Sequence, residues 1–209
     1  MKKTFYSNGK LLITGEYLVL DGAKAFALPT KFGQNLIIED CESNEIIWTS
    51  YDNDKSIWFK DTFTFAEIIS QSPDENSIRA TLLKILQQAY LLNPTYLQEG
   101  RGYAVTTSLT FPRDWGLGTS STLINNIAQW LEIDAFELLK TSFGGSGYDI
   151  ACAQNNAPIT YKIAQDKISV EQVSFEPHFT NCIYFVYLNQ KQNSLSLIHI
   201  SEPTRLRRI

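Results

Sequence analysis

The sequence predicts an α+β domain, because its β-rich and helical parts follow one another in blocks rather than in regular βαβ alternation. Residues 1–70 contain short apolar and β-branched runs separated by polar turns, whereas later segments carry apolar residues at helical spacing. The chain has 209 residues, of which 44% are hydrophobic and 19% are charged, so it can form a domain with a substantial core.

The predicted strands lie on both sides of the main helical part. Apolar runs at 11–13 and 17–20 lead to the turn signal Asp21-Gly22 and belong to the β-rich beginning of the chain. The other predicted strands are 35–39, 46–49, 56–60, 103–110, 159–163, 168–173 and 182–188.

Four helices are predicted from apolar spacing and capping residues. The first begins at a cap, either Asp74 or Ser77, and ends near Leu92, because Asn93 precedes a proline and avoids helical conformation. The second spans 120–131. The third spans 135–142 with Asp134 as its cap, and the fourth spans 148–154 after a glycine-rich break at 144–147.

Composition argues against several kinds of function. The formal net charge is −4 and the charges are scattered, so we expect no nucleic-acid partner. Three separated cysteines and two late histidines argue against a disulfide framework, a structural zinc site and a histidine metal site. No signal-like or bilayer-length apolar stretch occurs. We therefore expect a cytoplasmic protein without a membrane partner, whose oligomeric state the sequence leaves open.

A glycine-containing loop links the strand at 103–110 to the helix at 120–131. It reads Pro112-Arg113-Asp114-Trp115-Gly116-Leu117-Gly118-Thr119-Ser120-Ser121. Glycines permit a tight turn and close approach of a ligand, and the helix start that follows exposes N–H groups suited to phosphate. The three hydroxyls can donate to phosphate oxygens or bind Mg²⁺. Taken alone, the loop is equally consistent with a glycine turn that caps a helix.

Two further motifs place charged residues beside glycines. Asp149 follows the glycine-rich break, where a carboxylate can accept a proton or hold a metal, or can simply favour a helix N-terminus. Lys10 follows Gly9 and leads into an apolar strand, where the ammonium either reaches an anion or extends to solvent. For each motif alone, the purely structural interpretation is favoured.

Together the three motifs resemble the GHMP kinases, a superfamily that includes galactokinase, homoserine kinase, mevalonate kinase and phosphomevalonate kinase. The family loop P-x-x-x-G-L-G-S-S is matched by Pro112, Gly116, Leu117, Gly118 and Ser120, with Thr119 in place of the first serine. The family motif S-G-x-D-x-A is matched by Ser146, Gly147, Asp149 and Ala151. The string 147–151 is also similar to a bacterial branch of the superfamily labelled by those five letters.

The N-terminal family motif is matched with one departure. Gly9-Lys10 fits the family's P-G-K, but Asn8 stands where proline is usual. Gly15-Glu16-Tyr17 fits the G-E-[HY] that follows it.

The resemblance implies a fold and a reaction. The N-terminal domain of these kinases resembles ribosomal protein S5 domain 2, and the C-terminal domain is ferredoxin-like. Residues 1–180 would form the first domain and 181–194 would begin the second, which is largely missing. ATP and Mg²⁺ are the implied cofactors, and the implied reaction phosphorylates a hydroxyl or a phosphate of a small molecule.

The resemblance also implies a role for particular residues. The phosphate-binding residues would be Gly116, Leu117, Gly118, Thr119, Ser120 and Ser121, with Ser120 also binding Mg²⁺. Asp149 would accept the proton of the substrate hydroxyl, and Lys10 would keep Asp149 ionised and neutralise charge on the transferred group. The expected substrate-binding residues are Glu16, Ser146 and Gly147. Glu137 is a candidate second metal ligand, for which a solvent-facing helix glutamate is an equal alternative.

The expected substrate is mevalonate or phosphomevalonate, in isoprenoid precursor synthesis. Glu16-Tyr17 is similar to the G-E-Y of phosphomevalonate kinases, whereas mevalonate kinases carry G-E-H. The alternatives are homoserine, a sugar, or the substrate of a related decarboxylase. A nucleotide-binding relative without catalysis is the alternative of a different class.

The end of the chain departs from the family pattern. Residues 195–209 show no clear periodicity, end in basic residues and resemble translated sequencing-adapter readthrough. A genuine disordered tail is the alternative. Family members continue much further, with a glycine-rich motif that helps to close the site, so we expect this chain to have little activity and to expose apolar surface.

The tail hypothesis is tested by resequencing the 3′ end of the source gene. We expect everything after about Ser194 to be replaced by a different and longer reading frame. The same tail in independent clones would contradict the hypothesis.

Overall fold

The computed structural model describes residues 1–16, 18–70, 77–97, 100–165 and 167–187. Its strands are β1 (Lys2–Thr14), β2 (Ala25–Cys41), β3 (Glu45–Tyr51), β4 (Ile57–Thr64), β5 (Gly102–Leu109), β6 (Ile159–Ala164) and β7 (Lys167–Gln172). Its α-helices are α1 (Phe65–Ile69), α2 (Ile78–Leu92), α3 (Thr119–Leu131), α4 (Ala135–Ser142) and α5 (Tyr148–Gln154).

These strands form one mixed sheet around the long strand β2. The order is β4-β3-β5-β2-β6-β7, and β1 pairs along most of β2. The pairing of β3 with β5 is parallel, whereas the other pairings are antiparallel. In β3, side chains alternate between the core and the outer face, as a strand with one buried face requires: Ile46, Trp48 and Ser50 are buried.

The main core lies between the sheet and the helices. Its largest fully buried side chains include Trp48, Phe63 and Leu36 from strands and Ile124 and Leu131 from α3. A second apolar cluster joins α5 to β2 and β6. Because α3 and α5 both pack on β1, these two helices are held side by side.

Most predicted elements are confirmed. The predicted bounds of α4 and α5 match the structure, and α3 begins one residue earlier than predicted. Ser77 caps α2, whereas the alternative cap Asp74 lies outside the described residues. Each predicted strand before residue 180 overlaps an observed strand, apart from the run at 17–20.

Two apolar runs do not form strands. Leu18–Asp21 forms a 3₁₀ helix between the left-handed residues Gly15 and Gly22, with Val19 as its buried side chain. In the predicted strand 182–188, Cys182 ends a 3₁₀ turn and 183–187 are irregular and exposed, while Leu188 lies outside the described residues. The strand predictions for these two runs were therefore wrong, because an apolar run forms a strand only where another strand pairs with it. No helix among the described residues is long and apolar enough to span a bilayer.

The short helix α1 was not predicted, and a polar cluster stabilises it. Thr64 and Glu67 form a capping box, in which each side chain binds the other's backbone N–H. Arg79 of α2 pairs with Glu67 at 2.8 Å and with Asp61 of β4 at 3.1 Å. The Thr64 backbone N–H and Arg79 hold the pKa of Glu67 below its usual range.

We expect Glu67→Gln to lower the free energy of unfolding by roughly 0.5–1 kcal/mol at pH 7, because the half-exposed ion pair is lost while glutamine keeps the capping box. A lowered carboxyl pKa contributes stability above the unfolded-state pKa, and that stability is lost as pH falls through the folded-state pKa. The difference between wild type and variant should therefore shrink on acidification in urea unfolding. Glu42→Gln, at an exposed carboxylate between β2 and β3, is the control and should show little effect.

Candidate functional site

The fold brings Lys10 of β1 and Asp149 of α5 together. Lys10 Nζ lies 3.2 Å from Asp149 Oδ1, and the two side chains are 20% and 29% exposed. Asp149 Oδ1 is closed off from solvent and accepts no hydrogen bond from the described residues. The contact with Lys10 is therefore an ion pair without good hydrogen-bond geometry. The pairing expected from the motifs is therefore present.

A close backbone approach sets Lys10 against the glycine loop. The Lys10 backbone N–H donates to the Leu117 carbonyl at 2.9 Å. A Cβ on Gly9 would lie only 2.8 Å from the same carbonyl oxygen, so glycine is required there. The register of β1 shifts between Asn8 and Lys10, and such a bulge redirects the side chain that follows it.

The loop itself depends on left-handed glycines. Gly116 has a φ of 74° and Gly118 a φ of 89°, and Gly118 immediately precedes α3. A Cβ on Gly118 would lie 3.1 Å from Lys10 Cγ, so this glycine also leaves room for the lysine side chain. The Thr122 hydroxyl donates to Gln34 Oε1 at 2.8 Å, which holds the helix start against β2, and the Gly118 and Thr119 carbonyls are alternative acceptors for the same hydrogen.

Lys10, Tyr148 and Cys152 each keep one protonation state over the neutral pH range. Burial opposes the charge on Lys10, but Asp149 and the Tyr148 hydroxyl outweigh burial and raise the pKa of the lysine. Burial, followed by Asp149, raises the pKa of Tyr148 and also raises the pKa of Cys152 to about 12. Lys10 therefore stays protonated, Tyr148 stays a neutral hydroxyl and Cys152 stays a thiol.

A buried polar network fixes α3 and α5 relative to β1. Ser7 of β1 donates to Asn126 Oδ1 and accepts from Asn125 Nδ2, each at 2.8 Å. Gln154 of α5 donates to Asn125 Oδ1 at 3.1 Å, and Asn126 Nδ2 donates to the Gln34 carbonyl at 2.9 Å. Since four of these five side chains are almost fully buried, their hydrogen bonds restrict how the helices can shift.

A cleft of about 520 Å³ opens beside the loop. Thr119 and Ser120 lie at its loop side. Its aromatic lining comes from Trp48, Trp58, Phe59 and Phe143. Arg113 also lines it, with the guanidinium carbon 4.9 Å from the centre of the Trp58 ring, and the Trp58 Nε1–H has no hydrogen-bond partner among the described residues. The sequence analysis missed Trp58, because it lies far from every motif.

The remaining predicted residues differ in accessibility. Ser120 is exposed, whereas Ser121 and Leu117 are buried. Glu16 is exposed, and its charge raises the pKa of Tyr148, so it lies near the ion pair. Glu137 is exposed on α4. No three His, Cys, Asp or Glu side chains of the described segments form a metal-binding group, and the proposed metal role of Glu137 stays a prediction.

Ser146 and Gly147 position the start of α5. The Tyr161 hydroxyl donates to the Ser146 carbonyl. Gly147 has a φ of 86°, and a Cβ there would lie 3.0 Å from Phe136 Cδ1. Both residues lie directly before the helix that carries Asp149, and their predicted contact with a substrate stays a prediction.

Two further contacts were not foreseen. Asn8, at the position where the family usually has proline, donates from Nδ2 to the Asn155 carbonyl and to Asn156 Oδ1, both at 2.7 Å. This side chain ties β1 to the end of α5. Lys10 Nζ donates to the Tyr148 hydroxyl at 2.7 Å, a contact that no motif spacing indicates.

Three solved structures that share this fold are small-molecule kinases. Methanococcus jannaschii mevalonate kinase aligns with a TM-score of 0.65 and 15% identity, over 84% of this chain and 57% of that chain. A D-glycero-D-manno-heptose 1-phosphate kinase from Bacteriodes thetaiotaomicron aligns with a TM-score of 0.61 and 19% identity, over 84% and 61%. Lactococcus lactis galactokinase, solved with galactose, aligns with a TM-score of 0.57 and 15% identity, over 84% and 47%.

These neighbours are members of the GHMP kinase superfamily, so the resemblance inferred from the three motifs is confirmed at the level of the fold. The chain spans less than two thirds of the length of each of these three structures. No family sequence model matches the chain, and no curated protein matches it significantly.

The Lys10–Asp149 pair can be tested by a double-mutant cycle of Lys10→Met and Asp149→Asn. We expect a coupling energy of about 1–3 kcal/mol in urea unfolding, because removing one partner leaves the other charge poorly solvated.

The exposed pair Lys24–Glu171, at 3.4 Å and about 60% exposed on each side, is the matched control for that cycle. Its coupling should stay below about 0.5 kcal/mol. Equal coupling energies in the two pairs would contradict the expectation that Lys10 and Asp149 interact more strongly than an exposed pair.

Proposed function

We propose that the protein is the N-terminal part of an ATP-dependent small-molecule kinase of the GHMP type. The observation that carries this proposal is the Lys10–Asp149 ion pair, which a direct backbone hydrogen bond sets against the glycine loop. Phosphoryl transfer needs positioning and electrostatic stabilisation more than covalent chemistry. A half-buried cation, a partly exposed carboxylate and a helix start suited to phosphate in one site supply these requirements.

The nucleotide in this proposal lies along the cleft. Its phosphates bind the backbone and hydroxyls of Gly116, Gly118, Thr119 and Ser120, where α3 begins. The base lies among the aromatic side chains at the other side of the cleft. Arg113, held over Trp58, adds a positive charge close to the phosphates.

Magnesium accompanies ATP in such a site, where it neutralises charge on the phosphates. Ser120 fits this requirement, because its exposed hydroxyl lines the cleft beside the proposed phosphate position. Hydroxyl, phosphate and water oxygens are the ligands that Mg²⁺ prefers. Glu137 is the proposed second ligand.

In the transfer itself, Asp149 accepts the proton of the acceptor hydroxyl as the oxygen attacks phosphorus. Lys10 pairs with Asp149 and is close enough to the loop to stabilise charge on the transferred group. The acceptor is mevalonate or phosphomevalonate, and homoserine and sugars are the rivals.

The complete product of the source gene should release ADP from Mg-ATP in the presence of mevalonate or phosphomevalonate. We expect Asp149→Asn to lower kcat at least about 100-fold, since general base catalysis contributes that much or more. Asp134→Asn is a matched control, because asparagine also caps helices and the change removes one charge from the neighbouring α4.

Two companion variants separate the ligand roles. Ser120→Ala should raise the KM for Mg-ATP and leave the KM for the acceptor unchanged. Glu137→Gln should raise the Mg²⁺ concentration required for half-maximal rate if Glu137 binds the metal. ATP binding without transfer to any small alcohol or phosphate would favour the non-catalytic alternative.

A further inference from the structure

Strand β1 contacts both ends of the short helix α5. At the start of the helix, Lys10 Nζ lies 3.2 Å from Asp149 Oδ1. At its end, Asn8 Nδ2 donates to the Asn155 carbonyl and to Asn156 Oδ1, both at 2.7 Å. The helix has seven residues and is therefore about 10 Å long. Two residues that are two positions apart in one strand thus hold α5 at both ends.

The donor role of Asn8 is fixed by its partner. A backbone carbonyl can only accept a hydrogen bond, so the NH2 group of the Asn8 amide must face Asn155. Its two hydrogens serve Asn155 and Asn156 at the same time. Because Asn8 is half-buried and Asn156 is exposed, water can replace these bonds when the amide is lost. The contact therefore contributes less to the stability of the fold than to the position of the helix.

The other contacts of α5 restrain its position along β1 less directly. Ile150 and Cys152 are fully buried in the two apolar clusters. Such contacts hold the helix against the sheet, but they oppose small shifts along it less than directional hydrogen bonds do. No side chain of the described residues caps the helix start, which follows the left-handed Gly147. Gln154 bonds Asn125 of α3 at 3.1 Å and so reaches β1 through α3.

The backbone of β1 gives a reason for a side-chain restraint at this position. Asn8 stands where the family usually has proline, whose ring fixes φ and with it the path of the chain into Gly9-Lys10. Asparagine imposes no such restriction, and the register of β1 shifts between residues 8 and 10. The two bonds of the Asn8 amide therefore restrain the strand at an irregular point.

We propose that Asn8 is a positioning residue, which sets the distance between Lys10 Nζ and the Asp149 carboxylate by tying β1 to the end of α5. Loss of this tie lets the helix shift along the strand, so the ammonium and the carboxylate separate. The consequence for catalysis rests on the proposed kinase function, because a base must lie within hydrogen-bond reach of the proton that it takes. The consequence for the ion pair does not depend on that function.

The strength of the ion pair tests the position of α5 without any assay of activity. We expect the coupling energy of the Lys10→Met and Asp149→Asn cycle to fall by at least about half when the cycle is repeated in the Asn8→Leu variant. Leucine has nearly the size of asparagine but no hydrogen to donate. Urea unfolding measures the four variants of each cycle. Asn8→Ala, which also lacks the amide, is the second variant and should give the same loss.

Gln172→Leu is the matched control. Gln172 Nε2 donates to Asn155 Oδ1 at 2.7 Å, so this variant also removes a hydrogen bond at the end of α5, but one that leads to β7. The coupling energy should be the same in Gln172→Leu as in the unmodified background. An unchanged coupling energy in Asn8→Leu and Asn8→Ala, or an equal loss in Gln172→Leu, would overturn the inference.

The kinetic test uses the complete product of the source gene. Asn8→Leu should lower kcat about ten-fold, because a small displacement of the base is costly, and should leave the KM for Mg-ATP unchanged, because the Lys10 backbone bond to Leu117 remains. Gln172→Leu should change neither constant. Lost coupling with an unchanged kcat would overturn the catalytic part of the inference. A wild-type enzyme that releases no ADP with any acceptor would overturn the kinase proposal, and the coupling energies would still decide the role of Asn8.

Discussion

The site depends on one close approach between two backbone segments, Gly9-Lys10 in β1 and Leu117 in the glycine loop. The hydrogen bond from the Lys10 N–H to the Leu117 carbonyl requires glycine at position 9, because a side chain there would collide with the same carbonyl. The approach also directs the lysine side chain past Gly118 to Asp149. Three motifs that lie far apart in the sequence therefore meet at a single point.

Local signals account for the elements that could be predicted. The bounds of α4 and α5 follow from Asp134 and from the glycine-rich break, which act within one helical turn. The order and register of the strands depend on contacts between distant segments, so the sequence patterns could not supply them. The apolar run at 18–20 misled the prediction because flanking glycines, not side-chain alternation, decide its conformation.

Part of the site could be predicted, because local motifs mark some of its residues. Lys10 and Asp149 are recognisable because each belongs to a motif, and the motifs mark points where the backbone must contain glycine. The Tyr148 hydroxyl is different, since its contact with Lys10 depends on the bulge in β1 and on the left-handed turn at Gly147 together. Trp58 and Arg113 meet only because β4 and the loop border the same cleft.

The buried polar network that links α3, α5 and β1 matters more for the relative positions of these elements than for the stability of the fold. Ser7 and Asn125 share a hydrogen bond in the interior, and exchanging both partners of such a bond for apolar groups of similar shape is often neutral or even stabilising. Apolar side chains, however, tolerate small sliding movements that directional hydrogen bonds do not. A version of this protein selected for thermal stability alone can therefore retain its fold while the glycine loop and Asp149 lose their alignment.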